Sequence, residues 1–64
     1  MRYNIGRYID NHRNEPVLIS IVHFNLSEQH AEKIVVRLNT QAGHKYIDEH
    51  TFITKKGSYY YMIE

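Results

Sequence analysis

The chain contains no cysteine, which excludes disulfide staples and thiolate metal sites. One proline and three isolated glycines in 64 residues leave no proline-rich linker and no glycine-rich loop that would cradle a phosphate. Neither sign of charge dominates. Eight Lys and Arg against seven Asp and Glu give a formal net charge of +1, too little for charge alone to point to nucleic acid or an anionic membrane. Long apolar runs are also missing. The longest, Val17 to Phe24, is interrupted by Ser20 and His23 and falls far short of the roughly 20 residues of a membrane span. The first six residues, Met1 to Gly6, offer no apolar leader core and no small-residue cleavage site. A cytoplasmic protein is the expectation.

What is present fits an ordinary globular domain. Apolar residues make up 42% and charged residues 23% of the chain, so it is not of disordered composition. A chain of this length buries only about 60% of the surface it exposes when unfolded. Without disulfides it needs a lean core, a metal or a partner subunit. No internal repeat or linker divides it, and residues 1–64 read as one domain.

The pattern along the chain predicts an α+β fold. Met1, Tyr3 and Ile5 alternate with Arg2 and Asn4, the period of a half-buried strand. Gly6 within that strand, Met1 to Ile9, signals a bulge or a close backbone approach; the rival reading is a short helical turn over Gly6 to Asn11. Asp10 to Pro16 reads as a loop, rich in Asn and Asp and closed by a proline. Val17 to Phe24 then reads as a strand apolar on both faces, the mark of a central, covered strand. The helix that follows has Asn25 or Ser27 as its cap, and apolar residues at Ala31, Ile34, Val35, Leu38 and Ala42 form one stripe. Gly43 supplies its stop. Tyr46 to Thr54, the turn Lys55 to Ser58 and the β-prone Tyr59 to Ile63 read as a C-terminal hairpin. The expectation is a small antiparallel sheet of about four strands in ββαββ order, with one helix on one face.

Candidate chemistry is sparse. Five histidines, His12, His23, His30, His44 and His50, invite a metal site. No two stand at the i, i+4 spacing of a zinc-protease helix. His12, His44 and His50 read as solvated loop residues and His23 as a strand-end residue, so no metal or cofactor is expected. Ser20, Ser27 and Ser58 each have a structural role in strand, cap or turn, and so short a chain leaves no room for an enclosed pocket beside its core. No enzyme activity is expected. Lys56-Gly57-Ser58 before an aromatic strand resembles the Gly-Ser-His stretch of HicA-type ribonuclease toxins over about a tenth of the chain. Tyr59 stands at the position of that family's catalytic histidine, so the resemblance implies no nuclease activity.

Surface is what remains. One helix covers one sheet face, and the strands supply more apolar area than it can hide. Such a patch marks an interface, most often with a second copy, so a homodimer is expected. Tyr59, Tyr60 and Tyr61, the rim Lys55 and Lys56, and Tyr3 are the candidate partner-binding residues, because tyrosine dominates protein interfaces. The expected function is a small protein-binding module that docks on a larger protein and inhibits or modulates it, in the manner of a phage or mobile-element accessory protein acting on host machinery. The alternative is a small nucleic-acid-binding domain in which Arg2, Arg7, Lys55 and Lys56 accompany the tyrosines.

Overall fold

The computed structural model describes residues 1–64. Two long strands, β1 (Tyr3–Asp10) and β2 (Pro16–Leu26), precede the helix α1 (Glu28–Gln41). Two short strands, β3 (Lys45–Tyr46) and β4 (Phe52–Ile53), and a terminal strand, β5 (Tyr60–Ile63), follow it. All pairings are antiparallel, in a three-stranded sheet of order β2-β1-β5 and a separate β3-β4 pair. The α+β class and the strand-strand-helix-strand-strand order are as the sequence predicts, with the extra short strand lying in the connection after the helix.

The hairpin between β1 and β2 is built by its asparagines. Asn11 N–H donates to the Glu15 carbonyl (2.9 Å), and Asn14 N–H donates to the Asn11 carbonyl (2.9 Å). Asn14 then takes the left-handed conformation at φ 60°, which completes a type I turn with its bulge residue. The Asn11 side chain holds the loop by accepting from the N–H groups of Arg13 (2.8 Å) and Glu15 (3.0 Å). Pro16 opens an edge strand, where a missing donor costs no ladder bond.

The position of β2 corrects the sequence expectation. It is an edge strand, and β1 is central. The 11 residues of β2 lie against 8 of β1, so β2 carries three extra residues. Ile19 and Val22 are two of them, and the third falls at Phe24-Asn25, where Asn25 has φ 59°. Each bulge breaks the two-residue alternation. An apolar run on both faces therefore signals a bent, bulged edge here, not burial in a sheet centre. The C-terminal hairpin is corrected as well. Ser58 N–H does close the expected turn onto the Lys55 carbonyl (3.1 Å), but β5 leaves β4 and pairs with β1, while β4 pairs with β3. The aromatic strand gains more by crossing to the long β1 than by pairing with two-residue β4.

Gly6 sits at a bulge, as expected, and in close approach. A Cβ there would meet Leu18 Cδ1 at 2.8 Å and Tyr8 Cε1 at 2.9 Å.

Helix α1 packs on β5 and β1. Of the two cap candidates Ser27, not Asn25, caps the helix, its Oγ accepting from His30 N–H at 3.3 Å, while Asn25 lies within β2 at φ 59°. At the other end Gly43 at φ 94° lets Gly43 N–H reach the Thr40 carbonyl and His44 N–H the Asn39 carbonyl, a Schellman stop. The apolar stripe faces inward but shallowly. Ala31 is fully buried, whereas Ile34, Val35, Leu38 and Ala42 are only partly covered. Only six of the 64 residues are buried, and among the large apolar side chains only Ile5 is completely so.

Candidate docking surface

Antiparallel register decides which tyrosines meet. In the β1–β5 pairing Arg7 lies opposite Tyr61, and Tyr8 opposite Tyr60, and residues directly opposite share a sheet face. Tyr59 and Tyr61 therefore share the Arg7 face, and Tyr60 takes the other.

On the Tyr60 face the rings form a small cluster. Tyr8 stacks on Tyr60 at 6.0 Å between centroids, His44 and Phe52 approach Tyr60 at 6.3 and 6.2 Å, and Tyr46 meets Phe52 at 5.1 Å. Tyr60 is buried, and its hydroxyl donates to Asp10 Oδ1 at 2.6 Å. Burial first, and then the neighbouring carboxylate, push its hydroxyl up to about 12. Of the three consecutive tyrosines it is the core member.

On the opposite face Arg7 lies between two rings. Its guanidinium carbon is 5.5 Å from the Tyr59 centroid and 5.7 Å from that of Tyr61, within cation–π range. Arg7 Nε is buried and has no hydrogen-bond partner. Tyr59 is 46% exposed, so the outer rung of this ladder stands in solvent.

Two polar side chains hold the ladder from behind. Tyr61 turns its backbone N–H and C=O away from β1, and Asn39 takes both: Nδ2 donates to the Tyr61 carbonyl at 2.9 Å, and Tyr61 N–H donates to Oδ1 at 2.8 Å. The second Nδ2 hydrogen donates to the Tyr46 hydroxyl at 3.0 Å. His44 is the other holder. Its Nδ1 accepts from Lys55 N–H at 2.8 Å, so the ring proton is on Nε2, which donates to the Tyr59 carbonyl at 2.6 Å. His44 is buried, which corrects its reading as a solvated loop residue: both ring nitrogens satisfy backbone groups that water would otherwise have to reach. No signal of composition or spacing marks Asn39 or His44 as partners of β5. The nearest hint is a polar residue, Asn39, directly after Leu38 of the helix stripe.

The remaining candidates lie elsewhere. The Lys55 side chain runs over the helix stop, its Cδ 3.2 Å from where a Cβ on Gly43 would stand. It thereby supplies positive charge to a helix end that has no basic residue in its own last turn. Lys55 and Lys56 also line a polar groove with Asp10, Asn14 and Tyr60, away from the Arg7 ladder. Tyr3, half-buried opposite Leu26, stands at the other end of β1.

The histidine-rich stretch after the helix does not converge on a metal site. Asp48 Oδ1 accepts from the N–H groups of His50 (2.8 Å) and Thr51 (2.7 Å), which holds its carboxyl below the usual range and builds the β3–β4 turn. No three His, Asp or Glu side chains come together. A groove of about 870 Å³ runs between α1, β3–β4 and β5, lined by Val35, Val36, Tyr46, Phe52, Met62 and also Tyr61. It is open to water along its length, unlike the enclosed sites that usually hold small molecules. No family model matches the chain, and neither a curated protein nor a solved structure does.

Proposed function

We propose that this chain is a small protein-binding module that docks on a larger protein through the Tyr59–Arg7–Tyr61 face and so inhibits or modulates it. The arrangement of Arg7 between two tyrosine rings supports this reading. Tyrosine and arginine are over-represented among the few residues that carry interface energy. Here they are pre-organised, because Asn39 and His44 fix the backbone beneath both rings, and ordering side chains is a main cost of association. A guanidinium held between two rings is matched best by a partner carboxylate, which would meet its terminal nitrogens, since Nε is buried. An accessory protein of a phage or mobile element acting on host machinery fits this reading by size.

A nucleic-acid function would use the same rings as base-stacking platforms. That reading needs a basic track beside them, and Lys55 and Lys56 lie instead in the groove with Tyr60 and Asp10.

The test is capture on the immobilised chain beside Tyr59→Ala and Arg7→Ala variants, with circular dichroism confirming their folds. Loss of a central contact costs about 2 kcal/mol or more, roughly 30-fold in Kd. Unchanged capture by both variants removes this face from the function. If no protein is captured while a single-stranded oligonucleotide binds with an affinity that falls steeply with salt, the docking reading is wrong and the nucleic-acid reading replaces it.

A further inference from the structure

The three-stranded sheet has two edges, finished in opposite ways. On the β5 side, the outward backbone groups of Tyr61 and the Tyr59 carbonyl are occupied by Asn39 and His44. No further strand can add there without displacing them. On the β2 side nothing covers the edge. Val17, Leu18, Ile19 and Phe24 are 40 to 66% exposed, and β1 is the one strand that pairs with β2.

We propose that the chain forms a two-fold dimer in which β2 of one copy packs against β2 of a second. Three observations choose a second copy as the occupant. First, across a two-fold axis each side chain near the axis meets its own copy, so any charge would meet its like. β2, Pro16–Leu26, contains no Asp, Glu, Lys or Arg, although 23% of the whole chain is charged. Edge strands that remain monomeric are commonly protected by such charges, especially lysine. Second, a chain with six buried residues and no cysteine lacks the core or staple that small domains rely on. The missing burial has to come from a partner present whenever the chain is folded, and another copy meets that condition. Third, the closed β5 edge and the bulged β2 edge together limit the assembly. With β2 the one long uncovered edge of the three-stranded sheet, pairing ends at two, and the three extra residues of β2 interrupt the ladder so that it does not template a continuing sheet. The interface uses none of Arg7, Tyr59 and Tyr61, so it stands or falls apart from the docking face.

Light scattering at micromolar concentration should give twice the 7.7 kDa chain mass. Ile19→Lys places like charges at the interface and should return the mass to 7.7 kDa. Because that variant can also unfold, a second measurement keeps the test decisive. The chain has no native cysteine, so Ser20→Cys with a short bismaleimide should give a covalent dimer, and Thr40→Cys on the exposed helix surface should not. A wild-type mass of 7.7 kDa at micromolar concentration overturns the proposal. So does cross-linking from the helix position but not from β2, or a mass that climbs beyond the dimer with concentration.

Discussion

Replacing Asn39 by alanine is the most informative perturbation of this fold. Asn39 is completely buried, and its amide uses both hydrogens and one oxygen lone pair: two bonds to the Tyr61 backbone and one to the Tyr46 hydroxyl. A hydrogen bond contributes about 0.5–1.5 kcal/mol net, but leaving a buried polar group unpaired costs about 1–3 kcal/mol. Alanine strands the N–H and C=O of Tyr61, while the Tyr46 hydroxyl can turn to water. The expected loss is about 3 kcal/mol, out of roughly 3–10 kcal/mol for a domain of this length. Thermal unfolding followed by circular dichroism should show a fall on the order of 15 °C. Asn39→Asp separates the two halves of the amide. A carboxylate still accepts from Tyr61 N–H but faces the Tyr61 carbonyl with no donor, so this variant should be as weak as alanine at neutral pH. It should recover as pH falls, when the protonated carboxyl regains a donor. Tyr46→Phe removes the acceptor of one Nδ2 hydrogen of the buried Asn39 and should cost about 1–3 kcal/mol, less than Asn39→Ala because only one group loses its partner. A loss below about 0.5 kcal/mol for Asn39→Ala would mean that water or a neighbour satisfies Tyr61, and that the β5 edge is not closed as described.

Two other outcomes follow from single side chains. Tyr60, raised to about 12 against an ordinary value of 10, should give a tyrosinate absorbance step near pH 12 that is absent in Tyr60→Phe. Its protonated form is favoured by folding, so the stability it contributes is complete below pH 10 and is lost as pH rises from 10 to 12; a step already complete by pH 10.5 would contradict its burial against Asp10. The glycines separate crowding from backbone conformation. Gly6→Ala drives a Cβ into Leu18 and the stacked Tyr8 ring and should cost about 1–3 kcal/mol by overpacking. Gly57→Ala meets nothing within 4 Å but sits at φ 81°, so it should cost about 1–2 kcal/mol through the left-handed backbone alone, and Gly57→Asn should cost less. Equal effects of Asn and Ala at position 57 would refute that assignment.

Local signals in the sequence translated well into structure. Ser27 caps the helix, Gly43 stops it, Gly6 marks a bulge and the asparagines around position 12 build a hairpin, because each of these depends on a few neighbouring residues. The structure departs from local expectation where distant segments compete for a partner. Periodicity cannot reveal extra residues in a strand, since a bulge is defined only against its partner, so β2 looked central when it is an edge. Tyr59 to Ile63 had two available partners, β4 nearby and β1 far away in sequence, and strand length decided between them. Tyr60 and Tyr61 were separable by alternation, but which one faced the core depended on where Phe52 and His44 arrive. His44 looked like a loop histidine because nothing within its own segment needs it. Its partners, Lys55 N–H and the Tyr59 carbonyl, are 11 and 15 residues away.

The β5 edge and the proposed docking face are held by the same side chains. Asn39 and His44 fix the backbone of Tyr61 and Tyr59 from the outer side of β5, and those residues carry the rings that hold Arg7. Weakening either holder loosens the ladder without touching a partner. A variant such as Asn39→Ala should therefore lose partner affinity together with thermal stability, whereas Tyr59→Ala should lose affinity with little change in stability, because its ring is the solvent-side rung. Lowering the temperature distinguishes the two cases: affinity should return for the Asn39 variant as its fold is restored, and should not return for Tyr59→Ala, whose contact surface is gone.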